Sequence, residues 1–157
     1  MDWKNLFLSP GGRIGQKEFW IGWVILFVIG IILNYLPQGI KMIGSVISLA
    51  MIYPTVCVYS KRLHDAGRSG WLAALPYAVA IIGVILAVIV GGAGMLAMLS
   101  GDTSAAAGGM AGVGMAGLIM LGILVFYIAY TLWVGLAKSD PAPNQYGPPP
   151  SSAPATV

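Results

Sequence analysis

The chain has 157 residues, of which 58% are hydrophobic and only 8% are charged, and its formal net charge is +3. A soluble globular domain carries about 25% charged residues, so this composition excludes that class and predicts a membrane protein. The positive charge forms no basic stripe, which argues against a nucleic-acid partner, and it suits the cytoplasmic loops of a membrane protein.

The N-terminal residues predict a short helix that lies in the membrane interface. Trp3, Leu6 and Phe7 share one face at helical spacing. Lys4 turns toward water on the opposite face, as in an amphipathic interfacial helix. The Ser-Pro-Gly-Gly stretch at 9–12 then ends the helix.

Four apolar stretches follow, each close to the roughly 20 residues that a helix needs to cross a bilayer. They lie at about 19–36, 40–60, 71–95 and 110–135. Unpaired backbone amides are not tolerated in hydrocarbon, so each stretch should be a helix. The sequence therefore predicts an all-α integral membrane protein with four transmembrane helices preceded by the short interfacial N-terminal helix. In this interpretation residues 1–147 form a single membrane domain, and residues 148–157 form a disordered, proline-rich cytoplasmic tail.

Three local features bear on how these helices bend and pack. Pro54 removes a backbone hydrogen bond inside the second span and should bend it. The third span exceeds the length that a bilayer requires, which predicts a tilt or a break at the glycine-rich residues 91–94. The fourth span carries small residues at spacing four, a pattern typical of close helix packing: Ser104, Gly108, Gly112 and Ala116. We favour packing inside the monomer for this surface, with a dimer seam as the alternative.

The distribution of Lys and Arg predicts the orientation of the chain. With four crossings, seven of the eight basic residues fall on one side of the membrane: Lys4, Arg13, Lys17, Lys61, Arg62, Arg68 and Lys138. Lys41 falls on the other side. Because Lys and Arg favour the cytoplasmic side, both termini and the central charged segment should face the cytoplasm.

The central segment KRLHDAGRSGW, at 61–71, concentrates charge between two apolar stretches. His64 is the only histidine and Cys57 is the only cysteine. One chain therefore cannot form a zinc site of the usual Cys and His ligands, and we expect no metal and no cofactor. His64 and Asp65 are the catalytic candidates, because a histidine that is oriented by a carboxylate can transfer protons. A hydrogen-bonded structural histidine in a turn is the simpler interpretation.

The Gly-Arg-Ser-Gly residues at 67–70 have two interpretations as well. They could hold an anion such as a lipid phosphate, because glycine lets backbone amides converge and Arg68 adds charge. The alternative is a turn whose arginine sets the topology. The four residues match no nucleotide-binding fingerprint.

Three short segments resemble the signature segments of one family. They are GRIGQKEFW at 12–20, KRLHDAGRSGW at 61–71 and PNQYG at 143–147, and their order and spacing resemble those of the domain-of-unknown-function 805 (DUF 805) family. The resemblance implies a small bacterial inner-membrane protein with no established biochemical activity. It marks ten positions: Arg13, Glu18, Trp20, Arg62, His64, Asp65, Trp71, Asn144, Tyr146 and Gly147. The chain departs from the family at Gln145, where members often carry a basic residue.

All three segments fall on the predicted cytoplasmic face, so their polar side chains should form one cluster. The predicted members are Arg13, Glu18, Arg62, His64, Asp65, Arg68, Asn144 and Tyr146. We expect Asp65 to pair with Arg13 or with an arginine of its own segment. We also expect the Asn144 side chain to hydrogen-bond the backbone of the cluster.

Two functions are compatible with this cluster. The favoured hypothesis is a non-catalytic membrane module that binds lipid head groups, including anionic ones, or a protein partner such as another membrane protein or a second copy of the chain. The alternative is a membrane-interface enzyme that uses His64 with Asp65 on a phosphorylated or lipid substrate.

Overall fold

The computed structural model describes residues 2–150. They form six α-helices, which are α1 (Trp3–Leu8), α2 (Gln16–Asn34), α3 (Lys41–Ala50), α4 (Ile52–Asp65), α5 (Leu75–Leu99) and α6 (Thr103–Leu136). Two short 3₁₀ turns, Gln38–Ile40 and Gly70–Ala74, precede α3 and α5. The described residues contain no strand, only an isolated bridge between Asn144 and Gly147. Most of the predicted disordered tail, residues 151–157, lies outside the described part of the chain.

Four helical segments are long and apolar enough to cross a membrane, as the composition predicts. They are Gln16–Asn34, Gln38–Asp65, Gly70–Leu99 and Thr103–Leu136. The fourth begins well before the predicted residue 110, because Asp102 caps its first turn. The Asp102 carboxylate accepts a hydrogen bond from the Ser104 amide at 2.8 Å. The connection before it is a short turn through Gly101, whose φ is +78°.

The second predicted span is one helical segment that is interrupted at Met51. α3 ends at Ala50 and α4 begins at Ile52, with Met51 between them. Pro54 has no N–H to donate to the Ala50 carbonyl, so the regular ladder of hydrogen bonds is interrupted one turn before the proline. The predicted bend is therefore displaced from Pro54 to Met51.

α4 continues to Asp65, so the first half of segment 61–71 is helical, and His64 lies in this helix and not in a turn. Arg62 and Asp65 lie three positions apart on one face and form an ion pair, which favours continuation of the helix. Gly67 follows the helix end with a φ of +67°. A glycine in this left-handed conformation commonly terminates a helix.

The described chain divides into two compact units. The first contains the residues up to Ala73 together with those from Trp133 onward, and the second contains Ala74–Leu132. Aromatic rings form part of the core of the first unit, where the Phe19 and Tyr59 rings meet edge to face at 5.3 Å. Phe19 is fully buried, so this contact ties α2 to α4 inside the unit.

In the first unit, α1 packs against α2 and α4. The Leu6 side chain is buried, and together with Val58 it lies against Gly22 of α2. The Tyr53 hydroxyl of α4 donates a hydrogen bond to the Leu8 carbonyl at 3.0 Å. A short N-terminal helix thus forms where the sequence predicts one.

In the second unit, α5 and α6 pack through glycines. A Cβ atom at Gly94 would lie 2.6 Å from the Gly109 carbonyl oxygen, so the two backbones leave no room for a side chain there. Gly112 and Ala116 also face α5, in agreement with packing inside the monomer. Gly108 has no such neighbour, so the predicted surface is only partly correct. α5 runs without a break through its glycines.

Candidate functional site

The Asp65 carboxylate lies at the end of α4 and is fully buried. The Arg13 guanidinium approaches one side of it, with Nη2 at 3.0 Å and Nε at 3.1 Å from Oδ1. Arg62, one turn back on α4, donates from Nη1 to Oδ2. Two guanidinium groups therefore share one carboxylate and occupy both of its oxygens, which is the pairing expected from the sequence.

Arg13 also holds the C-terminal strap, our name for the last two residues of α6 together with the chain that follows (residues 135–147). The Arg13 Nη1 donates to the carbonyls of Ala142 at 2.9 Å and Gly147 at 3.2 Å, and its Nη2 donates to the carbonyl of Asp140. The rigid fork of donors on one guanidinium thus connects the start of α2, the end of α4 and the strap.

Arg62 holds the beginning of the same strap. It donates to the Ser139 hydroxyl at 3.0 Å, to the Gly135 carbonyl at 3.4 Å and to the Ala137 carbonyl. The last carbonyls of a helix have no partner within the helix, and an arginine at the end of α6 satisfies them. The Nε atom of Arg62 is buried and has no hydrogen-bond partner among the described residues.

The His64 ring lies between the start of α2 and the strap. Its Nδ1 is 3.1 Å from the Gly12 carbonyl, and because a carbonyl can only accept, Nδ1 donates in this contact. The ring stacks on the Tyr146 ring, with centroids 3.7 Å apart and planes 7° from parallel. The Asn144 side chain donates to the His64 carbonyl at 3.0 Å, which is the expected bond between Asn144 and the backbone of the cluster.

The geometry does not join His64 and Asp65 into an acid–base pair. The partner of the His64 ring is the Gly12 carbonyl, and the Asp65 carboxylate is committed to two arginines. Both oxygens of this carboxylate are bound by guanidinium groups, so it does not orient the imidazole. Within residues 2–150, no three His, Cys, Asp or Glu side chains group as they would around a metal ion.

Comparison with known proteins identifies the family. Residues 7–148 match the family described as "Protein of unknown function (DUF805)". The chain belongs to this family. The chain is similar to the "Uncharacterized protein YiiR" of Escherichia coli strain K12 and to its counterpart in strain O157:H7. Each match is 36% identical over 63 residues, and it covers 38% of this chain and 42% of the relative. The chain thus aligns with less than half of these relatives, and no solved structure matches it.

Six of the eight predicted cluster residues of this DUF805 chain contact one another: Arg13, Arg62, His64, Asp65, Asn144 and Tyr146. Glu18 lies apart from these contacts, because its carboxylate accepts from the Gly15 amide at 2.8 Å and caps α2. Arg68 is exposed, and its guanidinium lies 4.6 Å from the centroid of the Trp133 ring and not beside Asp65.

Sequence reasoning missed Asp140, which links the strap to α4. The Asp140 amide donates to the Asp65 carbonyl at 2.7 Å. Its carboxylate accepts from the Ala142 amide at 3.1 Å and from the Asn144 side chain at 3.3 Å. An aspartate whose side chain accepts from the amide two residues later forms an Asx turn, and the Asp-Pro-Ala sequence at 140–142 could have indicated this turn.

Burial divides the basic residues of the first unit into two groups. The Arg13 side chain, Lys61 and Arg62 are at most 2% exposed, and all three are hydrogen-bonded. Lys61 donates to the Asn5 side chain at 2.8 Å and so anchors α1. The other five are exposed: Lys41 at the start of α3, and Lys4, Lys17, Arg68 and Lys138, which lie in α1, at the start of α2, after α4 and after α6. Buried cations therefore hold the strap and α1 in place, whereas the exposed cations remain available to a partner.

Proposed function

We propose that this DUF805 chain is a non-catalytic protein of the bacterial inner membrane that binds anionic lipid head groups at its cytoplasmic face. Four crossings with both termini in the cytoplasm agree with the excess of Lys and Arg at one end. Residues 1–147 act as one membrane domain, with the proline-rich residues 148–157 as a cytoplasmic tail. In this arrangement α1 lies in the interface, and its exposed Trp3 and Leu8 contact lipid.

The division of basic residues by burial is the observation that carries the proposal. The Nη donors of the buried arginines are occupied inside the cluster, because they bind Asp65 and the strap. Lys4, Lys17, Arg68 and Lys138 are exposed, and they lie in or next to the elements that the buried cations hold together. Each basic residue near an anionic membrane surface contributes about 1 kcal/mol of attraction.

The enzyme hypothesis draws less support from the same geometry. The Gly12 carbonyl and the Tyr146 ring hold His64 in place, and the Asp65 carboxylate is bound to two arginines and not to the imidazole. An enzyme that uses His64 would lose turnover in His64→Gln while its melting temperature stayed unchanged. We expect the opposite result, a lower melting temperature, because the glutamine side chain cannot stack on Tyr146.

Selective retention of lipid tests the proposal directly. The full-length protein is reconstituted into membranes of phosphatidylcholine and phosphatidylglycerol at a fixed ratio and extracted in mild detergent, and the lipid that remains bound is measured. We expect enrichment of phosphatidylglycerol in the wild type. The variant with Lys4, Lys17, Arg68 and Lys138 all changed to Gln should lose it, by roughly fivefold in affinity for each charge removed.

Lys41→Gln is the matched control, because Lys41 is exposed but begins α3, beyond the far end of the 19-residue α2. A helix of this length spans about 28 Å, so this lysine belongs to the opposite membrane surface. Equal retention of phosphatidylglycerol by the quadruple variant and the wild type would overturn the proposal. Co-extraction of a stoichiometric protein in place of lipid would favour a protein partner instead.

A further inference from the structure

Arg68 differs from the other exposed cations of this chain in being held by a ring. Its guanidinium carbon lies 4.6 Å from the centroid of the Trp133 ring. A ring contact of this kind uses the face of the guanidinium and leaves its N–H donors free along the edge. No carboxylate and no carbonyl of the described residues accepts a hydrogen bond from the Arg68 side chain.

The backbone around Arg68 is fixed as well. The Arg68 amide donates to the Leu63 carbonyl at 2.8 Å, and the Gly67 amide donates to the His64 carbonyl at 3.0 Å. The left-handed φ of +67° at Gly67 turns the chain out of α4. The backbone of Arg68 is therefore ordered before a ligand binds, which lowers the entropic cost of binding.

Unused backbone donors lie next to this side chain. Within residues 2–150, neither the Ser69 amide nor the Gly70 amide has a hydrogen-bond partner. The next residue, Trp71, is 87% exposed, and Trp133 is 41% exposed. Exposed indole rings at the ends of apolar helices are typical of the head-group region of a bilayer.

The geometry points to a phospholipid phosphate site formed by Arg68, the amides of Ser69 and Gly70, and the Trp133 ring. The ligand is the phosphodiester of an anionic glycerophospholipid. Its two non-bridging oxygens match the paired donors of the guanidinium edge, and the adjacent amides supply further donors. The exposed Trp71 ring lies beside the glycerol and upper acyl region of the same lipid.

This inference rests on the proposed function and refines it, because it assigns most of the selectivity to one residue. The wild-type protein and three variants, Arg68→Gln, Arg68→Lys and Lys17→Gln, are titrated with short-chain phosphatidylglycerol in detergent. The shift in melting temperature reports binding. We expect Arg68→Gln to weaken binding by about tenfold to a hundredfold, as loss of charge-assisted hydrogen bonds does. Arg68→Lys should also weaken it, because lysine keeps the charge but not the fork, and Lys17→Gln should weaken it less than either.

Three results would overturn the site alone, and a fourth would overturn the proposed function with it. If Arg68→Gln weakens binding no more than Lys17→Gln, while the variant with all four exposed cations removed loses phosphatidylglycerol, the surface binds lipid without this site. If Arg68→Lys binds as the wild type does, charge alone is sufficient. If inorganic phosphate or glycerol phosphate raises the melting temperature as much as the lipid does, the ligand is a free phosphate. If every variant, including the quadruple one, keeps its selectivity for phosphatidylglycerol, both the proposed function and the site are wrong.

Discussion

The Arg13 Nη2 lies 3.0 Å from the Asp65 Oδ1, although 52 residues separate the two in sequence, and neither side chain is more than 1% exposed. This pair joins the start of α2 to the end of α4. The remaining Arg13 donors bind the C-terminal strap, so three distant parts of the chain depend on one contact. Removal of one partner from a buried pair leaves an uncompensated charge, which costs far more than the pair contributes.

Asp65→Asn should therefore destabilise the protein strongly. We expect the free energy of unfolding to fall by about 3–5 kcal/mol, because two arginines lose their carboxylate in a buried position. Thermal unfolding in detergent measures this effect, and Lys17→Gln, which removes an exposed charge, serves as the control. A melting temperature in Asp65→Asn equal to that of the control would show that the pair has no structural role.

Tyr146 should hold the strap through its ring and not through its hydroxyl. Tyr146→Phe keeps the stacking on His64, whereas Tyr146→Ala loses it, a difference of about 1 kcal/mol beyond the burial itself. Lys138 lies in the strap and is exposed, so the rate of tryptic cleavage after it reports opening of the strap. We expect cleavage of Tyr146→Ala to be about fivefold faster than that of Tyr146→Phe. Identical rates would mean that the ring does not hold the strap.

Two glycines of α5 provide a matched pair for the helix packing in the second unit. Gly94→Ala places a methyl group against the Gly109 backbone and should destabilise by about 1–3 kcal/mol. Gly92→Ala meets no neighbour within 4 Å and should be neutral or stabilising by up to about 1 kcal/mol. Thermal unfolding of the two variants compares them directly, and equal effects would contradict the close approach of the two backbones.

The topology can be measured with reporter fusions. A reporter at the C-terminal end should be active in the cytoplasm, and one inserted after Ser100, in the turn between α5 and α6, should be active in the periplasm. A reporter fused after Lys138 should also be active in the cytoplasm, as the reporter at the C-terminal end is. Both sites on one side of the membrane would exclude four crossings in this arrangement.

The long apolar runs made the four helical segments predictable, but not their interruptions. The effect of Pro54 appears at Met51, because the carbonyl that loses its partner lies four residues before the proline. The start of α6 was placed too late, because alanine and glycine at 105–109 read as a loop when the Asp102 cap is not considered.

Part of the cluster was predictable because carboxylates are scarce in this sequence. Asp65 had few possible partners, and Arg13 was among them. The sequence did not distinguish Arg62 from Arg68, since their environments depend on where α4 ends and on Trp133, far along the chain. The part of the strap before the PNQYG segment, residues 135–142, was unpredictable for a different reason: its carbonyls bind the arginines through the backbone, which leaves no trace in residue type.

The Arg13 bond to the Gly147 carbonyl has a consequence for biosynthesis, since 134 residues separate the two partners. At a synthesis rate of about 5–20 residues per second, Arg13 is added to the chain roughly 7 to 27 s before Gly147. The Arg62–Asp65 pair can form as soon as α4 is made, but the Arg13 donors that bind the strap have no such partner until residues 140–147 have been made. All four long helical segments are therefore made before the strap can close over the arginines.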